Sequence, residues 1–165
     1  MTIATSLRFY DIAVFIHVAA VVTAFGVIFT YPLIVPLTLR TAPDKLGWVH
    51  RLQGTIGQRI ITLSGALVLI SGLYLVLSDD GPFSFSDDWW TGFGLVSILV
   101  LLGLGGAYFA PRERRLAELA ERDAGKPSPK YRALLRQWLI VAGASMTLVM
   151  VTILFMVLGA RGVFT

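Results

Sequence analysis

The sequence predicts an all-α fold, a transmembrane four-helix bundle with cytoplasmic helix extensions. Of its 165 residues, 56% are apolar and only 15% are charged, against roughly 25% charged residues in soluble domains. Mean hydropathy is +0.75, and the apolar residues form four stretches of about 20 residues, the length that a helix needs to cross a bilayer. Lipid offers the backbone no hydrogen-bond partner, so each stretch is expected to be helical. We expect a single integral membrane domain over residues 1–165.

The first span covers about residues 11–33 and is expected to end beside Pro32. Its apolar run is longer than that of a cleavable signal peptide, and Arg8 is closely followed by Asp11 instead of belonging to a basic leader. We therefore predict a permanent membrane helix, which carries one ionisable residue, His17.

The segment that follows the first span has apolar residues at helical spacing, namely Val49, Leu52, Ile56 and Ile60. This pattern predicts an amphipathic helix at the inner surface or a cytoplasmic extension of the second span. His50 and Arg51 fall on another side of that helix, and Trp48 is expected at headgroup level.

The second and third spans, about residues 60–78 and 89–110, carry no charge. Gly65 and Gly72 share a face of the second span and favour close helix contact. The loop between the spans is acidic, with Asp79, Asp80, Asp87 and Asp88. Its aromatic residues are expected to form an interfacial belt, with cation binding by the aspartates as the alternative: Phe83, Phe85, Trp89 and Trp90.

Residues 111–125 predict a helix that begins at Pro111 and ends near Gly125. Arg114–Glu118 and Glu118–Arg122 have the i,i+4 spacing of helical ion pairs, and the segment is expected to form a solvated hairpin of helix extensions. Ser128 followed by Pro129 is typical of a helix start. The fourth helix is expected to begin there, with its span over about residues 134–160.

The basic residues predict the orientation. Twelve of the fourteen lie in the two segments that join spans one to two and three to four, whereas the loop between spans two and three has none. Basic loops stay in the cytoplasm, so both termini are expected outside. The same placement explains the sequence pI of about 9.8 through anionic lipid headgroups, and we expect no nucleic-acid partner.

Several chemistries have no supporting residues. The sequence contains no cysteine, which removes thiolate metal sites, iron–sulfur clusters and cysteine nucleophiles. It also lacks a phosphate-binding loop, a HExxH or GxSxG motif, and an acidic pair within a span.

His17 is the informative residue, because an ionisable group inside a span is costly and points to function. A stripe of small residues, Ala13, Ala20 and Ala24, shares its helix face. Such a stripe allows either close approach of a neighbouring helix or room for a flat macrocycle. Three roles stay open for His17: a haem or metal ligand, a proton relay, or a neutral histidine that hydrogen-bonds to a neighbouring helix. The hydroxyl groups available for the last role are Ser64, Ser71, Ser97, Thr147 and Thr152.

A second ligand is sought at the same depth. Met150 lies about 18 Å along the fourth span at 1.5 Å per residue, near the predicted level of His17, with Met146 one turn lower. Thioethers can ligate haem iron or Cu(I). His50 is expected on the opposite side of the membrane and so cannot join His17 within one subunit.

The opening span FYDIAVFIHVAAVVTAFGVIF resembles that of uncharacterised bacterial four-helix integral membrane protein families. These are similar in pattern to copper-resistance protein D and to the haem-containing membrane protoporphyrinogen oxidase. The shared features are an early histidine with a glycine nine residues later, here His17 and Gly26, and a Ser/Gly-rich second span, here SGALVLISG. The resemblance implies that His17 is an axial haem ligand and that the chain lies in the bacterial inner membrane.

Two functions are therefore expected as alternatives. One is a haem b protein in electron transfer or porphyrin oxidation, with His17 as ligand. The other is a non-enzymatic membrane protein that transports a small solute or metal or serves as an accessory subunit of a membrane complex. A homodimer is expected as a further possibility, because small-residue faces suit helix association.

Overall fold

The computed structural model describes residues 8–79 and 81–164. Four long helices make up most of this part of the chain: α1 (Phe9–Thr41), α2 (Pro43–Leu77), α3 (Trp89–Arg122) and α4 (Pro129–Ala160). Each is long and apolar enough to cross a membrane, and the predicted all-α four-helix bundle is confirmed. The protein is a multi-pass membrane protein.

The four helices form a closed bundle. Each packs against the next in the chain, and α1 also contacts α4. We call the end formed by residues 31–59 and 109–138 the basic end, and the end formed by residues 8–14, 81–91 and 156–164 the aspartate end. Between these ends many apolar side chains point outward, such as Phe15 (72% exposed) and Ile70 (66% exposed), as expected of side chains that face lipid.

α1 is longer than predicted, because it continues through Pro32 and Pro36 to Thr41. A proline removes one helical hydrogen bond and usually kinks or ends a helix. Membrane helices tolerate it when hydroxyl side chains and neighbouring helices compensate. Here Thr30 Oγ1 donates to the carbonyl of Val27 at 2.7 Å, and Thr38 Oγ1 donates to that of Ile34 at 2.8 Å. The expected end of the helix beside Pro32 was wrong.

Two helices change their winding where the apolar span meets the basic end. α2 is α-helical over Leu46–Ile56 and Thr62–Leu77, with a π-helical turn at Gly57–Ile61 between them. α3 has a π-helical turn at Leu104–Phe109 before its last segment, Ala110–Arg122. Single π turns inside α-helices are frequent at functional sites. Because the helical backbone runs through both π turns, both basic segments are direct continuations of the spans.

The predicted hairpin of helix extensions is present, but the basic end is packed around a hydrophobic core instead of solvated. The larger hydrophobic core lies here and includes Val35, Leu46, Leu116, Tyr131 and Trp138. Leu46 and Leu116 are completely buried. Outside the hydrocarbon layer the hydrophobic effect drives apolar faces together, so the extensions of α2 and α3 pair with each other.

Details of the extensions also differ from expectation. Leu52 is 42% exposed, whereas His50 is completely buried. The buried face of the α2 extension is therefore displaced by one residue position from the predicted face. Arg51 pairs with Glu121 through two hydrogen bonds. The predicted Arg114–Glu118 and Glu118–Arg122 pairs are absent from the ion pairs of residues 8–79 and 81–164.

The start of α4 is confirmed. Ser128 caps the helix, since its hydroxyl accepts a hydrogen bond from the backbone N–H of Tyr131 at 3.3 Å, and Pro129 occupies the first turn. Asp123 closes the preceding turn by accepting from the backbone N–H of Ser128 at 2.8 Å.

At the aspartate end, one residue of the predicted aromatic belt is buried instead of interfacial. Trp89 is 51% exposed, but Trp90 is 4% exposed and packs edge-on against Phe83, with ring centroids 5.0 Å apart. Its indole lies directly over Gly159, where a Cβ would overlap the ring. Asp80 lies outside the described residues. Asp88 is buried and accepts from the backbone N–H of Ser84 at 2.9 Å, so its carboxylate stabilises the loop.

Candidate functional site

A cavity of about 520 Å³ lies inside the bundle toward the aspartate end. All four helices line it, and its walls are mainly Val, Leu, Ile and Phe side chains. Its volume falls in the 300–1,000 Å³ range of sites for small molecules and cofactors. None of the residues that line it within the described ranges is charged.

His17 supplies an imidazole to this cavity. Its Nδ1 lies 3.0 Å from Ser71 Oγ, and Ser71 in turn donates its hydroxyl hydrogen to the carbonyl of Leu67. In the tautomer with the imidazole hydrogen on Nδ1, His17 donates to Ser71 while Ser71 donates to the carbonyl of Leu67. The lone pair on Nε2 is then free to bind a ligand, as in metal sites where a second residue orients the histidine. Of the hydroxyl partners considered from the sequence, the structure selects Ser71.

Gly72 makes room for the imidazole. A Cβ at this position would lie 3.0 Å from His17 Cε1, closer than ordinary van der Waals contact. The glycine therefore allows α1 and α2 to approach each other at the histidine, as predicted for the small residues of the second span.

The alanine stripe lies beside the cavity and not within it. Ala13, Ala20 and Ala24 are 6%, 6% and 1% exposed and are not among the cavity-lining residues. Ala20 packs in a small core with Val68 and Ile98. Of the two uses expected for the stripe, the structure therefore displays close helix approach.

The structure does not bring Met150 to His17. Met150 is 55% exposed and lies outside the cavity, which Met156 lines instead. Depth alone could not distinguish the two methionines, because it ignores the direction of a side chain around the helix. Val149, Ile153 and Met156 follow helical spacing on the lined face, and the burial of Val149 (2% exposed) marks that face.

Sequence reasoning missed a second polar cluster, at the basic end. His50 is completely buried; its Nδ1 lies 2.8 Å from Glu113 Oε2 and its Nε2 lies 2.9 Å from the hydroxyl of Tyr131. Three helices thus meet in one hydrogen-bonded chain. The pattern that could have revealed it is Leu46, Val49, His50 and Gln53 on α2 and Glu113, Leu116 and Ala117 on α3, each at the spacing of one helix face.

Buried polar atoms next to this chain have no protein partner. Glu113 is 5% exposed and Gln53 is 3% exposed. Within the described part of the chain, Glu113 Oε1 and both side-chain polar atoms of Gln53 accept or donate no hydrogen bond. The backbone carbonyl of Gln53 does accept from the hydroxyl of Tyr31 at 3.1 Å. A second cavity, of about 360 Å³, is lined by His50 and Glu113 and by several exposed polar residues.

The two sites are far apart. His50 and Ser71, the partner of His17, are 21 positions apart on α2, which corresponds to about 31 Å along a helix. A single small ligand cannot bridge both histidines of one chain, as expected from the sequence.

Among the described residues, no three or more His, Cys, Asp or Glu side chains come together in a way that could hold a metal ion. His17 is a single imidazole and not part of such a group. No family model, no curated protein and no solved structure matches this chain.

Proposed function

We propose that the protein binds haem b in the larger cavity, in electron transfer or porphyrin oxidation, with His17 as an axial ligand. One observation carries the proposal: His17 borders a 520 Å³ apolar cavity while its Nδ1 is held by Ser71, so that Nε2 is free. A planar, largely apolar macrocycle with a metal at its centre matches this combination of volume, apolar walls and one nitrogen ligand.

The chain's own residues have distinct tasks in this proposal. Ser71 orients the His17 ring and keeps its hydrogen on Nδ1, and the apolar walls exclude water from the cavity. Met156 lines the same cavity and provides a thioether, a ligand type that raises haem potentials. Haem, when bound, supplies reversible one-electron chemistry.

The test is the visible absorption spectrum of the protein purified after expression with ample haem. We expect a Soret band in the wild type and its loss in His17→Ala, with the helical far-UV circular dichroism unchanged. Met156→Leu should shift the band, whereas the matched variant Met150→Leu should not, since Met150 is outside the cavity. A wild-type protein without a Soret band would overturn the proposal.

A second candidate is a non-enzymatic membrane protein whose cavity takes an uncharged, lipid-soluble molecule, as a transporter or as an accessory subunit. The observation that favours it is the lack of any charged side chain in the described lining, since haem carries two propionates that cations usually bind. Mass spectrometry of an organic extract of the purified protein distinguishes the two: one retained apolar molecule without a Soret band supports this candidate.

The membrane location is proposed in finer detail from the charges. We infer a bacterial inner membrane protein with the basic end in the cytoplasm and both termini outside, since basic loops are retained in the cytoplasm. The chain has no cysteine, so single-cysteine variants can be labelled without background. A membrane-impermeant maleimide should label Ser86→Cys in intact cells and label Lys126→Cys only after permeabilisation; the reverse pattern would contradict the orientation.

A further inference from the structure

We propose that the smaller cavity, at the basic end, binds the phosphoethanolamine headgroup of a membrane lipid. This site is separate from the His17 cavity and does not depend on haem. It lies between the extensions of α2 and α3 and is lined by Glu113, Arg114 and Glu118 among others.

The depth of the cavity supports a lipid headgroup. The apolar run of α2 begins at Ile60 and that of α3 ends at Ala110, so Glu113 lies about 5 Å beyond the hydrocarbon boundary at 1.5 Å per residue. The headgroup layer occupies about 5–8 Å on each side of a bilayer. The cavity therefore opens where headgroups are present at high local concentration.

The carboxylate of Glu113 indicates that the ligand carries an ammonium group with N–H donors. Its Oε2 is bonded to His50, but its Oε1 has no donor within the described residues although the side chain is only 6% exposed. A buried carboxylate oxygen without a donor is unfavourable, because its lost hydration is not compensated. A primary ammonium can donate to it, whereas the quaternary ammonium of a choline headgroup has no N–H to donate.

The charged side chains that line the cavity indicate that the ligand also carries a phosphate group next to that ammonium. Arg51 also lines the cavity, but Glu121 already occupies its guanidinium. Arg114 forms no hydrogen bond or ion pair with another described residue, so its guanidinium is free for a phosphate. Glu118, also without an ion pair in the described chain, adds a second acceptor for the ammonium.

Small residues create the space. Gly54 lies where α2 approaches Glu113: a Cβ there would be 3.8 Å from the Cβ of Glu113. Ala110 and Ala117 line the facing side. The helices therefore stay close together while the cavity between them keeps a volume of about 360 Å³.

The experiment is lipid binding to the full-length protein in detergent, measured by native mass spectrometry. The probes are dihexanoyl phosphatidylethanolamine, the matching phosphatidylcholine and phosphatidylglycerol, and free phosphoethanolamine. We expect one phosphatidylethanolamine to bind at least about tenfold more tightly than either other lipid, since one charge-assisted hydrogen bond contributes about 1.5–3 kcal/mol.

Three variants locate the site. Glu113→Gln keeps an acceptor for His50 but presents an amide to the cavity, and Arg114→Gln and Glu118→Gln change exposed positions. Each should weaken phosphatidylethanolamine binding about tenfold or more. Arg115→Gln, exposed on the same helix and outside the cavity, is the matched control and should bind as the wild type does.

Three results would overturn the proposal. Equal affinity for phosphatidylethanolamine and phosphatidylcholine would show that no N–H donor is recognised, and unchanged affinity in Arg114→Gln and Glu118→Gln, which need not disturb the core, would exclude this cavity. Displacement of the lipid by an equal concentration of free phosphoethanolamine would overturn the lipid assignment in favour of a soluble ligand. The Soret band is independent of all these outcomes.

Discussion

At the scale of single residues, the two histidines occupy opposite environments. His17 borders an apolar cavity and its Nδ1 lies within hydrogen-bond distance of Ser71; with the ring hydrogen on Nδ1, the lone pair of Nε2 is available to a ligand. His50 has both ring nitrogens bonded, to Glu113 and Tyr131, and is completely buried. The same residue type is thus a candidate ligand at one site and a structural junction at the other.

The junction at His50 leads to a stability prediction. His50→Ala leaves the carboxylate of Glu113 and the hydroxyl of Tyr131 buried without their partner, so we expect a loss of about 2–4 kcal/mol in the free energy of unfolding. Tyr131→Phe removes one hydrogen bond and should cost about 1 kcal/mol. Denaturant unfolding in detergent, followed by circular dichroism, measures both.

The control for this pair is Leu52→Ala on the exposed side of the same helix, which should change stability by less than about 0.5 kcal/mol. If His50→Ala were no more destabilising than Tyr131→Phe, the three residues would not act as one hydrogen-bonded unit.

At the scale of elements, the π turns join each apolar span to its extension. The turn at Gly57–Ile61 accommodates one more residue than α-helical winding would, so the segments on either side keep the faces that carry His50 and Ser71. The predicted inward face of the α2 extension was displaced by one position within the regular segment Leu46–Ile56, because the prediction followed the apolar residues, whereas the polar residues His50 and Gln53 are the buried ones.

A deletion tests this role of the π turn. Removing Arg59 should convert Gly57–Ile61 to α-helix and leave both flanking segments in place, with a cost of less than about 1 kcal/mol. Removing Leu67 from the regular segment should rotate one side by about 100° relative to the other and prevent folding. The yield of monodisperse protein and its thermal midpoint distinguish the two, and equal damage by both deletions would contradict the prediction.

The stability that the turn between α3 and α4 contributes to the fold should depend on pH. Hydrogen bonds from Ser128, through its side chain and its backbone, hold the pKa of the Asp123 carboxyl below its ordinary value. The stabilisation by this group is therefore complete above the unfolded pKa and is lost as the pH falls through the lower folded pKa, below about pH 4.

Asp123→Asn should remove this contribution, so the unfolding midpoint of the variant should fall less than that of the wild type between about pH 6 and pH 3. The matched control is Asp87→Asn, an exposed loop residue, for which the wild-type pH profile is expected. Identical profiles for all three proteins would show that the Asp123 carboxylate does not stabilise the turn.

At the scale of the whole molecule, the bundle has two differently built ends. Toward the aspartate end the helices enclose the larger cavity, and at the basic end they enclose the larger core. The basic end combines close apolar packing with a buried polar chain, whereas the larger cavity has apolar walls.

The separation of the two ends predicts additive effects. The histidines share no partner, and Ser71, which contacts His17, is about 31 Å from His50 by helix rise. The destabilisation in the His17→Ala/His50→Ala double variant should therefore equal the sum of the single effects within about 0.5 kcal/mol. The measurement is a double-mutant cycle of unfolding free energies without added haem. A larger coupling would show that the two sites communicate.

The four apolar spans, their helical state and the ionisable residue inside the first of them are all predictable from the sequence. These follow from local hydropathy, since lipid forces each apolar run to satisfy its own backbone. Three contacts become visible only in the folded chain: Met156 and not Met150 lines the cavity, Ser71 lies within hydrogen-bond distance of His17, and His50 contacts Glu113 and Tyr131, which are far away in the sequence. Such contacts depend on how helices rotate and approach each other, which the hydropathy of one helix does not encode.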